Sequence, residues 1–92
     1  MIPQVYIERW VLTDLFALPL SRASKLKFLN DLLNHLPTNH SRLRGARCEN
    51  NSSCFWYARL AAEAAKVHMV RFAVDDSTPD RLRVVWVEHV AG

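Results

Sequence analysis

Ninety-two residues with a net charge of +3, half of them apolar and only two of them glycine, make one globular domain with a small core and exclude a disordered chain. Met1-Ile2-Pro3-Gln4 offers no positive n-region, and Arg, Asp or Glu interrupts the long apolar stretches. Neither a signal peptide nor a membrane span is predicted, and a cytoplasmic location is expected.

In chain order, Val5-Tyr6-Ile7 is β-prone and Pro3 suits a strand start. Trp10, Val11, Leu15 and Leu18 recur at helical spacing, with Pro19 closing the segment. Ser21 can cap a second helix, predicted over Ser21–Leu36 and ended by Pro37. Its apolar positions Leu26, Leu29, Leu32, Leu33 and Leu36 follow the i, i+3, i+4, i+7 rule, with Arg22, Lys25, Asp31 and Asn34 mainly opposite. Arg42, Arg44 and Arg47, together with Lys25, are expected to form a positive rim. Such a rim suits a polyanion, because cations that neutralise phosphates release counterions, and suits equally a solvated surface.

Cys48 and Cys54 come next, separated by five residues. A cytoplasmic disulfide is not expected. A metal site would need His35 and His40 as further ligands, at a spacing that is not a zinc pattern, so no metal or cofactor is predicted. Three apolar runs close the chain: Phe55 to Leu60, Val67 to Val74 and Leu82 to Val90. Asp75-Asp76-Ser77-Thr78-Pro79-Asp80 turns the last two, giving a meander of antiparallel strands. Ala61 to Lys66 favours helix by composition and is read as a short helical or irregular excursion after a strand ending at Leu60. Alternation sets Arg83 and His89 on one face of the last strand and Leu82, Val84 and Trp86 on the other. The expected fold is α+β: a small antiparallel sheet ordered β-α-α-β-β-β, two N-terminal helices on one face, one domain over residues 1–92. Leu26, Leu29, Leu33, Val70, Phe72, Val84 and Trp86 are predicted to be buried.

Tyr6-Ile7-Glu8-Arg9, Leu36-Pro37, Arg42-Leu43-Arg44-Gly45, Cys54-Phe55-Trp56-Tyr57, Val70-Arg71-Phe72-Ala73-Val74-Asp75 and Val84-Val85-Trp86-Val87-Glu88-His89 occur in that order. In order and spacing they resemble the RelE/ParE superfamily of bacterial toxins, closest to its RelE branch, over nearly the whole chain. The resemblance implies a toxin neutralised by an antitoxin. RelE-like members cut messenger RNA on the ribosome; ParE-like members share the scaffold, act on DNA gyrase and lack the nuclease residues.

RNA cleavage on this scaffold needs groups that deprotonate the 2′-hydroxyl, stabilise the phosphorane and protonate the leaving oxygen. The resemblance places Arg59 near the basic positions of the second strand and His68 where the family has an Arg, with Arg71 three residues later and His89 at the end of the last strand. Arg59 and Arg71 would stabilise charge, and His68 and His89 exchange protons. The family's terminal Arg and tail Tyr have no counterpart after His89. The same residues admit structural roles, and Trp56, Tyr57 and Trp86 are able to stack on bases or to fill a core. Three functions are compatible with these residues: a translation-halting ribonuclease, a non-catalytic gyrase poison or protein-binding inhibitor, and a small basic nucleic-acid-binding module using Lys25, Arg42, Arg44 and Arg47.

Overall fold

The computed structural model describes residues 2–44 and 46–90. Gly45 of the Arg42–Gly45 motif and the tail Ala91-Gly92 lie outside the described residues. Five strands form one sheet in the order β1-β5-β4-β3-β2. β1 (Gln4–Ile7) runs parallel to β5 (Arg81–Val90), which is antiparallel to β4 (Lys66–Asp75); β4 is antiparallel to β3 (Asn51–Glu63), and β2 (Arg47–Cys48) pairs with its first residues. The α+β architecture and the three-strand meander are as expected, with two additions. The parallel β1 makes the sheet mixed, and β2 extends it by one short strand.

α1 (Arg9–Phe16) buries Val11 and Leu15 against the sheet. α2 (Arg22–Asn30) begins at Ser21, whose hydroxyl accepts from the Ser24 N–H. The helical run does not stop at Leu36. A π-helical turn (Asp31–His35), in which the Leu36 N–H reaches the Asp31 carbonyl, leads into α3 (Leu36–Leu43). Pro37 therefore stands in the first turn of α3 and ends nothing. A proline ring clashes with the carbonyl four residues back in a regular α-helix, and the wider π turn just before it relieves that contact.

The extra residue in this turn rotates the remainder of the helix and changes which side chains meet the sheet. Phe28, Leu32 and Leu36 are wholly buried, whereas Leu26 and Leu33 are exposed and Leu29 half-buried. The predicted burial of Leu26 and Leu33 is incorrect: Leu33 lies in the π turn, whereas Leu26 precedes it in α2, where Phe28 takes the inward position. Phe28, Leu32 and Leu36 pack with Phe55, Tyr57, Val70, Phe72, Val74 and Val84 in one core between helices and sheet.

Ala61 to Lys66 is neither helical nor irregular. β3 runs on through Glu63, and Ala64 and Ala65 turn the hairpin with φ of 51° and 60°. Positive φ at both central residues is what a two-residue hairpin needs to match strand twist. Pairing of Ala61 with His68 and of Ala62 with Val67 outweighs alanine's helical preference.

A bulge in β5 overturns the face assignment there. Ala73 pairs with Trp86 but Val74 pairs with Val84, leaving Val85 as the extra residue. Past the bulge the alternation reverses: Val84 and Val87 both join the core, while Trp86 points to the opposite face and is 47% exposed. Arg83 and His89 consequently lie on opposite faces.

Candidate functional site

The four candidate catalytic side chains divide between the two faces of the sheet. Arg59, His68 and His89 lie on the face shared with the helices: Arg59 pairs with the core residue Val70, Val70 pairs with His89, and His68 pairs with Ala61. Arg71 alternates with Val70 and Phe72 along β4 and so lies on the helix-free face.

Each of the four is already engaged. Arg59 Nε donates to the Asp31 carboxylate at 3.0 Å, and its guanidinium stands 5.5 Å from the Tyr57 ring centre. The Tyr57 hydroxyl lies 2.5 Å from His35 Nδ1 and donates to the Asp31 carbonyl at 3.4 Å. Burial pushes its phenol up to about 12, with Arg59 pulling the other way. His68 Nδ1 and His89 Nε2 are 3.0 Å apart with their rings stacked, a hydrogen bond in which one imidazole supplies the proton. Arg71 Nε donates to Glu88 at 2.9 Å while its guanidinium covers Trp56 at 3.9 Å.

Near His68, the Glu63 carboxylate caps α2 from the end of β3. It accepts from the Ser21 N–H at 3.0 Å, from the Ser21 hydroxyl at 2.6 Å and from the Ser24 hydroxyl. Those hydroxyl bonds hold its carboxyl below the usual range. An anion there also meets the positive end of the helix dipole.

The four predicted nucleic-acid contacts do not form one rim. Arg47 binds Asp76 at 2.5 Å and Arg44 approaches it at 3.7 Å, with His40 at 3.3 Å from the same carboxylate. The Asp76 side chain is 4% exposed, so much of this positive charge is answered locally. Arg42 bonds Asn39, and the Lys25 ammonium donates to the Phe16 carbonyl. Seventeen helical steps from Lys25 to Arg42 span roughly 25 Å, which sets the two far apart along the helical layer.

Cys48 and Cys54 are free, buried thiols that pack with Ala73 on the helix-free face, and burial raises both thiol pKa values. Among the described residues no three His, Cys, Asp or Glu gather to hold a metal. Also among the described residues, no helix is long and apolar enough to cross a membrane.

The helix-free face holds what sequence reasoning did not locate. Trp56 and Trp86 rise on either side of Ala73 and border a groove of about 360 Å³ with Glu49 and Glu88 at its edge. Trp10, from α1, meets Trp86 edge-on with ring centres 5.6 Å apart. The indoles are visible in the sequence, but the bulge that turns Trp86 outward depends on strand register. No family model matches the chain, and neither a curated protein nor a solved structure matches it.

Proposed function

We propose that this protein is a toxin of the RelE/ParE type that acts by occupying the surface of a partner protein and not by cutting RNA. The order of strand, helices and three-strand meander supports the family reading. Support for non-catalytic action comes from one observation: Arg59 and Arg71 lie on opposite faces, each bound to a carboxylate. A phosphorane held by either would have to displace Asp31 or Glu88. The helix-free face, with Trp56 and Trp86 partly exposed and Trp10 of α1 edge-on to Trp86, is the surface offered to the partner. DNA gyrase is one candidate target, and a cognate antitoxin would cover the protein in the resting cell.

Induced expression in bacteria tests this, with growth, cellular RNA integrity and DNA supercoiling followed together. Growth arrest with intact RNA, unchanged in His68→Ala and His89→Ala, is expected. The ribonuclease reading keeps one observation in its favour, the paired imidazoles of His68 and His89 on the same face as Arg59. Under that reading RNA is degraded, and either His→Ala change slows cleavage by about 10²–10⁴-fold.

A further inference from the structure

Half of β3 has an open edge. The Trp56 N–H donates outward to the Ala46 carbonyl, beside the short β2, and at the other end Ala64 begins the hairpin turn. Between them, from Tyr57 to Glu63, β3 bonds β4 on one side, and among the described residues no backbone group bonds it on the other. Backbone groups alternate sides along a strand. Ala58, Leu60 and Ala62 therefore turn their N–H and C=O outward, as Trp56 does.

Pro, Lys or a bulge commonly blunts such an edge. None occurs from Tyr57 to Glu63, where β3 and β4 stay in register. The two charges of the stretch, Arg59 and Glu63, turn to the helix face and are bound there by Asp31 and by Ser21 and Ser24. On the helix-free face the edge shows Ala58, Leu60 and Ala62, all exposed, with Leu60 at 58%. Leu60 pairs with Met69 and Met69 with Val90, so an apolar row crosses three strands and ends at this edge.

The symmetry of the stretch selects its occupant. Trp56, where the cover ends, and Ala64, where the turn begins, stand four residues to either side of Leu60. Leu60 has its own backbone groups outward, which a two-fold axis through a hydrogen-bonded pair requires. Such an axis pairs Leu60 with the same residue of a second copy and Ala58 with Ala62, each pair exchanging both backbone bonds. The alanines leave room on either side of the two leucines. Arg59 falls opposite Ala61 and Glu63 opposite Tyr57, so no like charges meet directly. The apolar rows of the two copies join at the axis. A two-fold contact of this kind closes on itself and builds no filament.

We propose that a second copy of this chain pairs antiparallel along the β3 edge about Leu60, making one continuous sheet through a two-fold dimer. Sedimentation equilibrium of the full chain, from micromolar to millimolar concentration, should show a species of twice the chain's mass. Leu60→Lys, at an exposed position, sets two ammonium groups opposite each other and should leave the protein monomeric. Ala58→Pro removes an outward N–H that no backbone group within the described residues accepts, so the monomer should keep its fold. Symmetry deletes that bond twice, and dimerisation should weaken by roughly tenfold or more. Hydrogen exchange gives a second readout. The amides of Ala58, Leu60 and Ala62 should be protected in concentrated protein and exchange fast on dilution, while those of Arg59 and Ala61, bonded to β4, stay protected throughout. A monomer at every concentration, or a dimer equally strong in both variants, overturns the proposal.

Discussion

Arg59 Nε reaches the Asp31 carboxylate at 3.0 Å and so fastens the middle of β3 to the π-helical turn. Asp31 is a buried charged residue, at 9% exposure, and Arg59 is its ion-pair partner. Removing the arginine strands that charge. Breaking a buried pair from one side costs about 3–5 kcal/mol, and the partial exposure of Arg59 places Arg59→Ala near or below the lower end. The double variant Asp31→Leu/Arg59→Met should lose less than the two single changes added together. Urea unfolding of all four proteins measures the coupling, and strict additivity would show that the pair does not act as a unit.

The helical layer makes a second prediction, about which apolar side chains matter. Phe28→Ala should cost about 3–5 kcal/mol because its ring is wholly buried. Leu26→Ala and Leu33→Ala, at exposed positions, should stay within about 0.5 kcal/mol. Comparable losses at all three sites would restore a regular helix with Leu26 and Leu33 turned inward.

Local pattern showed the elements and their order, because strand and helix signals lie in neighbouring residues. Val70, Phe72 and Val84 are buried as alternation predicts. The failures at Leu33 and Trp86 share a cause: each lies at or just beyond an inserted residue, the π turn in one case and the Val85 bulge in the other. Neither insertion has a marker such as glycine, so both are set by what packs across the layer. Ala64-Ala65 failed for the same reason, since cross-strand pairing and not alanine's preference decides it. For the candidate site, residue types were legible, but which sheet face each took was not.

That hairpin gives a third prediction. Alanine in the left-handed region is disfavoured by roughly 1–2 kcal/mol, whereas Asn-Gly is the preferred pair for such a turn. Replacing Ala64-Ala65 by Asn-Gly should therefore stabilise the protein by about 1–2 kcal/mol. The gain appears as a higher urea midpoint with unchanged slope, and a loss would show that the turn has another conformation.

Asp76 governs a fourth, at acid pH. Burial raises its pKa, but the hydrogen bond from Arg47 and then that from His40 outweigh it, so the net direction is down from 3.8. A carboxyl depressed in the folded state stabilises above its unfolded pKa, and that stability is lost as pH falls through the folded value. The difference in stability between wild type and Asp76→Asn should be steady near neutrality and shrink as pH drops below about 4. Denaturant midpoints at several pH values check it; a difference that persists at pH 2 would mean the ionised form is not the stabilising one.

Tyr57 gives the corresponding alkaline prediction with the opposite sign. Its phenol rises from 10.0 to about 12, chiefly through burial, with Arg59 opposing and Asp31 reinforcing. A group raised on folding stabilises below its unfolded pKa, and that stability disappears as pH climbs through the folded one. Tyr57→Phe should be less stable by about 1 kcal/mol at neutral pH, since it forfeits the hydrogen bond with His35. It also lacks the titrating hydroxyl. The advantage of the wild type should then hold up to pH 10 and decline between 10 and 12, the interval over which the unfolded chain ionises first. Equilibrium unfolding of both proteins across that interval measures the decline, and an advantage that stayed constant to pH 12 would show that the Tyr57 hydroxyl is not buried against the π turn.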